Sequence, residues 1–383
     1  MSQKKHMVLV DPIAFAGGSK VATENILRQL NFDKTRVSVL TADQSSWHLP
    51  EIEHQTLFEP DFLVKKEQGV GYFLRHLNIA LQLFLLRMRH GPIDIALGAS
   101  GPGVDLATYL VRPLLKFKVI QLIHGPVAAS RTIAKCLLQA SQVHYLETTA
   151  SSITSALARV DQGSKELIPP KYHLLRNGLL PEKWPSQCQY ETPVVFWAAS
   201  LLKWKGLDTF TAALRQIPDT ERPKTHICYI EPKNTNLEVS QYSSVIYGVR
   251  WHRDPDHLDL LRSESNIFVS TSKQEPFGLS ILEAMAAGHC VVIPKDGAFW
   301  DRTLIDGVNC IKYEPGNAYD LAKKIIRLKR NLLMIRTLGE SAKQLARSYR
   351  ADICYVPIKH AIEAPNLTST TDTSQPVNNG AES

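Results

Sequence analysis

The strongest constraint on this chain is an alternation of short apolar runs with longer amphipathic stretches, which runs through the first half and restarts at Val194. MVLVDP (7–12) has the pattern of a buried strand. Behind it, FAGGSKVATENILRQL sets Val21, Ile26, Leu27 and Leu30 near a helical period. RVSVLTAD (36–43), IDIALGAS (93–100), VIQLIHG (119–125) and VHYLETT (143–149) read as further strands, with helices over Asp105–Leu115 and Ser130–Gln139. After a turn at Asn177-Gly178, VVFWAAS (194–200), THICYI (225–230), SSVIYG (243–248), NIFVST (266–271) and HCVVIP (289–294) repeat the pattern, with a helix over Asp208–Gln216. Strands joined by helical crossovers pair in parallel, because a parallel pair needs a long connection. The expected fold is therefore α/β, with two Rossmann-like doubly wound domains facing each other across a cleft. Ligands bind such sheets outside the carboxyl ends of the strands.

Length agrees, since 383 residues suit two domains that each bury a core. The expected division is an N-terminal domain over 1–178 and a C-terminal domain over 179–345. A helical segment over 346–364 is expected to pack back on the first domain, ahead of a polar, disordered tail over 365–383. The apolar run Met7–Val10 is too short for a signal peptide, and no uncharged apolar stretch is long enough to span a bilayer. The nearest approach, LNIALQLFLLRM (77–88), sits between Arg75, Arg87 and Arg89 and reads as a basic amphipathic, membrane-facing surface. Residues 1–178 carry 20 Lys/Arg against 14 Asp/Glu, whereas 179–383 carry 24 against 23. A basic first half suits anionic lipid headgroups or a lipid-diphosphate ligand, and equally ordinary surface scatter. The net charge of +7 comes without a basic-aromatic stripe, which argues against nucleic acid. Six scattered cysteines form no C-x-x-C pair and read as core thiols of a cytoplasmic protein.

The chemistry concentrates in NIFVSTSKQEPFGLSILEAMAAGHCVVIP (266–294), where a strand, a small polar loop and a helix start at Phe277-Gly278 follow in order. The unpaired amides of a helix start, with the macrodipole, attract an anion. Glu275 precedes the helix. Glu283 lies two turns inside it among Leu282, Ala284 and Met285, where a carboxylate needs hydrogen-bond donors such as vicinal hydroxyls. On the residues alone, an ordinary helix with a dipole-serving glutamate is an equal reading.

The spacing Glu275, seven residues, Glu283, within E-P-F-G-L-x-x-L-E-A-M-A-x-G, resembles the signature of GT-B-fold glycosyltransferases of family 4, the group 1 transferases. VNCIKYEPGNAYDLAKKI (308–325) is similar to the same family's closing stretch. The resemblance implies that Glu275 binds the transferred sugar and Glu283 the nucleotide ribose. Pro276 and the amides of Phe277, Gly278 and Leu279 then face sugar and diphosphate. It also implies a nucleotide-sugar co-substrate (a UDP-, GDP- or ADP-sugar), no other cofactor and no metal.

VVFWAASLLKWKGLDTF (194–210) resembles the family's diphosphate grip. Lys205, before Gly206, matches its second cation, but Ser200 stands where the family has arginine and Ala199 where it has glycine. Either Lys203 supplies the second cation or Ser200 a single hydrogen bond. In the first half, Gly17-Gly18 resembles the family's Gly-Gly loop opposite the diphosphate, and His124 its strand-end histidine beside the sugar. Asn177-Gly178 matches the turn before the domain crossing. Asp301 stands near a position where relatives carry a nucleotide-touching glutamate, one residue out of register. Trp204, Trp251 and Trp300 read as packing, and 248–261 has no metal-ligand spacing.

The resemblance implies a retaining, metal-independent transfer to a glycan or lipid-linked acceptor, in cell-envelope polysaccharide or lipopolysaccharide synthesis at the inner face of the cytoplasmic membrane. Glu275, His124 and Lys205 are the catalytic candidates. Two rival readings share the fold: a nucleotide-sugar epimerase, and a catalytically impaired scaffold or partner subunit. An NAD-dependent oxidoreductase is disfavoured because G-x-G-x-x-G is missing.

Overall fold

Continuous runs of β-branched and aliphatic residues become strands buried on both faces, as parallel sheets require. The computed structural model describes residues 4–14, 17–160, 169–232, 235–242 and 245–364, and within them the alternation resolves into two all-parallel sheets. The first contains β1 (Lys5–Asp11), β2 (Thr35–Thr41), β3 (Glu53–Thr56), β4 (Ile95–Gly98), β5 (Lys118–Ile123), β6 (Gln142–Leu146) and β7 (Tyr172–Leu175) in the order β3-β2-β1-β4-β5-β6-β7. Its helices are α1 (Gly18–Leu27), α2 (Asp61–Val64), α3 (Gly69–His90), α4 (Leu106–Leu115), α5 (Arg131–Gln139) and α6 (Ala150–Leu157). The second contains β8 (Val194–Ser200), β9 (Lys224–Ile230), β10 (Val249–Arg253), β11 (Ile267–Val269), β12 (Cys290–Pro294) and β13 (Ile311–Tyr313) in the order β10-β9-β8-β11-β12-β13. Here α7 (Leu207–Gln216), α8 (Leu258–Ser263), α9 (Leu279–Ala287), α10 (Phe299–Thr303) and α11 (Ala318–Lys329) make the crossovers. Both strand orders reverse direction beside the first strand of the sheet, which opens a crevice there.

The chain then runs through α12 (Leu332–Ala346), α13 (Ala351–Cys354) and α14 (Val356–Glu363). Residues beyond Ala346 lie against the first domain. Gly178 N donates to Tyr355 Oη at 3.0 Å and Asn31 N donates to Glu363 Oε1 at 2.7 Å. Tyr355, Ile358 and Ile362 are buried in one apolar cluster with Leu9, Ile26, Phe277 and Trp300, so this core is continuous across both domains. The expected disordered tail, 365–383, lies outside the described residues.

Three readings change. The strand expected at 243–248 starts instead at Val249, after a turn at Tyr247-Gly248 in which Gly248 has φ +79; Ser243 and Ser244 lie outside the described residues. β3 and β7 have no counterpart in the sequence reading, because EHQT and YHLL are short edge segments with little apolar periodicity. The segment around 77–88 is part of a 22-residue helix, α3, long and apolar enough to cross a membrane. His76, Ile79, Ala80, Leu83 and Leu86 on its inner face nevertheless pack into the domain core.

Candidate active site

β11 ends at Val269, and the loop behind it leads to Gly278, which caps α9 with φ +81. A Cβ there would strain the backbone and stand 3.0 Å from Glu275 Cγ and Ile281 Cδ1. The first turn of α9 holds no acidic residue, so no side chain of its own neutralises the positive end of the helix.

Glu275 is engaged elsewhere. Lys205 Nζ donates to its Oε2 at 2.6 Å, with both side chains largely shielded from solvent. Lys205 closes a 3₁₀ turn, Lys203–Lys205, and its ammonium lies 4.0 Å from the Trp204 ring centroid. Gly206 then turns the chain with φ +76, so close to the β11 loop that a Cβ would stand 2.1 Å from Thr271 O. Thr271 Oγ1 donates to Lys205 O (3.0 Å) and accepts from Trp197 Nε1 (3.0 Å), while Lys273 N donates to Trp204 O (2.8 Å). These bonds clip the β8 loop to the β11 loop, and so bring Lys205 to Glu275.

Glu283 receives Arg262 Nη2 at its Oε2, at 2.7 Å. Arg262 is nearly buried on α8 and also donates to Asp259 at 2.8 Å. The donors that Glu283 needs among its apolar neighbours thus come partly from the protein, although its side chain stays 28% exposed. Sequence reasoning missed Arg262, which carries no local signal beyond its i,i+3 spacing from Asp259.

Lys203 does not join this group. Its Nζ lies 3.2 Å from Glu238 Oε2, and its amide donates to Glu238 O, so it is tied to the loop at the domain's outer edge. Ser200 ends β8, half-buried. Asp301 is paired with Lys312 at 2.8 Å and accepts from Gly297 N at 2.7 Å. Burial raises its carboxyl, but these partners outweigh it and hold the group below the usual range. Trp251 packs with Tyr229 and Tyr242, and Trp300 is buried with its indole donating to Gly278 O at 3.2 Å. Phe277 packs against Phe299 and Trp300 with tilted rings, so it anchors the start of α9.

Across the cleft, Thr148 Oγ1 donates to Pro276 O at 2.7 Å and Arg302 lies 3.5 Å from Glu147, which ties the two domains together beside the E-P-F-G turn. Gly17 caps α1 in extended conformation, and a Cβ on Gly18 would meet nothing within 4 Å. Lys20, two residues on, is committed to Asp11 (2.8 Å), Ser46 Oγ (2.7 Å) and Ile13 O (2.8 Å) in a buried network. His124 directly follows β5, with Nε2 3.4 Å from Thr23 Oγ1, while Nδ1 is buried without a partner. Thr23 spends its only proton on Ser19 O at 2.8 Å, so the contact assigns the proton to His124 Nε2 and leaves Nδ1 an open acceptor. Burial lowers the imidazole to about 4, which keeps it neutral. Among the described residues, no group of three or more His, Cys, Asp or Glu could hold a metal ion.

Two parallel α/β domains meeting at a cleft define the GT-B fold. Residues 182–345, within the second domain, match the family described as Glycosyl transferases group 1, and the protein is a transferase. It is similar to an uncharacterized glycosyltransferase of Methanocaldococcus jannaschii, 28% identical over 353 residues that cover 91% of this chain and 95% of the relative. Among solved structures, Anabaena HepE in complex with UDP and glucose shares the fold, with TM-score 0.71, 17% identity and coverage of 94% and 99%. So does sucrose-phosphate synthase from Thermosynechococcus elongatus, with TM-score 0.69, 16% identity and coverage of 94% and 98%.

Proposed function

We propose that this transferase moves a sugar, with retention of anomeric configuration and without a metal ion, from a nucleoside-diphosphate sugar to a glycan or lipid-linked acceptor. The single observation that carries this reading is the Lys205–Glu275 pair at the unneutralised start of α9. Lys205 and the amides of Phe277, Gly278 and Leu279 take the diphosphate, and a helix start with one ammonium offsets departing charge without a divalent ion. Glu275 holds the transferred sugar and Glu283, oriented by Arg262, holds the ribose. Gly17-Gly18 and His124 complete the site from the other domain in this reading. A UDP-sugar is the first donor to test, because HepE binds UDP and glucose.

In the reaction the C1–O bond to the diphosphate breaks, the acceptor oxygen bonds C1 on the same sugar face, and the acceptor proton passes to the leaving phosphate oxygen. Water must be kept out of that step. The product serves cell-envelope polysaccharide or lipopolysaccharide assembly at the inner face of the cytoplasmic membrane. The rival reading of an impaired scaffold draws on one observation: Ser200 and the Lys203–Glu238 tie leave Lys205 as the sole cation of the grip.

A thermal-shift screen with UDP, GDP, ADP and their sugars, run on wild type, Lys205→Ala and Glu283→Ala, tests the donor site. A melting-temperature rise with one nucleotide that both variants reduce supports it, and no rise with any nucleotide refutes it. Incubating the donor alone and finding an isomerised sugar nucleotide would establish the epimerase instead. An inverted product would overturn retention.

A further inference from the structure

We infer that the outer face of α3 is a membrane-docking surface that lies in the interface of an anionic bilayer. The inference rests on the lipid-linked acceptor reading above. α3 is amphipathic in an unusual sense, because both of its faces are apolar. Val70, Leu74, Leu77, Leu81, Leu85 and Met88 recur at steps of three and four, which places them on one face, and all are exposed; Leu81 is 57% and Met88 67% exposed. Phe73 and Phe84 flank the stripe, and from Gln68 to Leu86 the only charged side chain is Arg75. Arg75 is turned inward onto Glu59 at 2.5 Å, so the exposed face carries no charge over about 30 Å of helix. This corrects the expectation that Arg75 belongs to a basic membrane-facing surface.

The apolar surface continues onto neighbouring elements. Phe58 ahead of α2, Phe62 on α2, and Leu110 and Leu114 on α4 are exposed as well. A soluble surface rarely leaves so many large apolar side chains contiguous without a partner.

Charge selects the occupant. Arg87, Arg89 and Lys116, the last residue being the C-cap of α4, sit at the end of this face with no acidic partner among the described residues. An isologous contact between two copies would bring like rims together, whereas an anionic lipid surface complements them. The helix cannot span the bilayer without extracting Ile79, Leu83 and Leu86 from the domain core, so it lies flat. Its other end, at Tyr72, donates to Gly103 O at 2.6 Å in the loop behind β4, on the cleft side of the sheet. A bilayer along α3 therefore ends where an acceptor enters the cleft.

The full chain should float with vesicles of phosphatidylglycerol and phosphatidylethanolamine, and less with phosphatidylcholine alone. The double substitution Leu77→Glu/Leu81→Glu changes exposed positions only, and should weaken flotation about tenfold or more while leaving the nucleotide-induced thermal shift unchanged. Arg87→Gln/Arg89→Gln should reduce binding to the anionic vesicles selectively and make it insensitive to salt. Absence of flotation, or flotation unaffected by Leu77→Glu/Leu81→Glu, overturns the inference. So does a dimer in light scattering that this variant dissociates while vesicles bind neither form. Failure of the transferase reading shows separately, as loss of the nucleotide shift in a protein that still floats.

Discussion

Arg262 Nη2 donates to Glu283 Oε2 at 2.7 Å, so the carboxylate proposed to hold the ribose is itself held by a nearly buried guanidinium. Breaking such a pair leaves a partly buried charge without its partner. Arg262→Met should therefore cost about 1–3 kcal/mol of stability in denaturant titration. It should also shrink the UDP-induced thermal shift. Glu283→Gln, which keeps an acceptor for Arg262, should disturb stability less than nucleotide affinity.

Lys205→Ala removes the ammonium that meets Glu275 and faces the proposed diphosphate. We expect kcat/KM with a nucleotide-sugar donor to fall by about 10²–10³, the range for losing one group that offsets developing negative charge. Ser200→Arg is the reciprocal change, and should tighten binding of the nucleoside diphosphate in calorimetry. Unchanged affinity in Ser200→Arg would mean that the end of β8 does not face the phosphates.

Gly206→Ala should be costly although the position is not expected to contact substrate. A methyl at φ +76, 2.1 Å from Thr271 O, forces the β8 and β11 loops apart. The expected loss exceeds about 2 kcal/mol in urea titration. Activity should fall beyond the loss of folded protein, because Lys205 is carried away from Glu275.

Acid should destabilise the chain well before its carboxylates titrate. Burial lowers His76, His124 and His144 to about 4 and His289 to about 3. An unfolded histidine takes its proton near 6.5, so between that pH and about 4 the unfolded chain binds more protons than the native one. The contribution is complete above pH 6.5 and is lost as pH falls through this window. Asp105 works the other way, since burial raises it to about 7, but it is one group against four. The urea midpoint should drop steadily from pH 7 to pH 5, and His76→Asn should flatten that slope if it folds.

How much was legible depended on range. The helix start at Gly278 and the first strands of both domains could be read because their signals lie within a few neighbouring residues. Glu275, Glu283 and Lys205 could be singled out as candidates through their spacing in linked motifs, and of these the structure brings Lys205 to Glu275. β3 and β7 were not, since an edge segment such as EHQT becomes a strand only when β2 offers it a partner. β10 was misplaced by a few residues, because Gly248 decides where the chain can start to pair with β9.

The order of residues by itself determined two parallel α/β domains, the glycine turns and the candidate donor helix, because periodicity and φ preferences act over a few residues at a time. Tertiary structure alone decided that Lys203 goes to Glu238 while Lys205 goes to Glu275, and that Arg262 reaches Glu283. It also turned Arg75 inward and left the stripe from Val70 to Met88 outside. Side-chain pairing and exposure depend on which surfaces meet across elements distant in sequence, and no local pattern encodes that meeting.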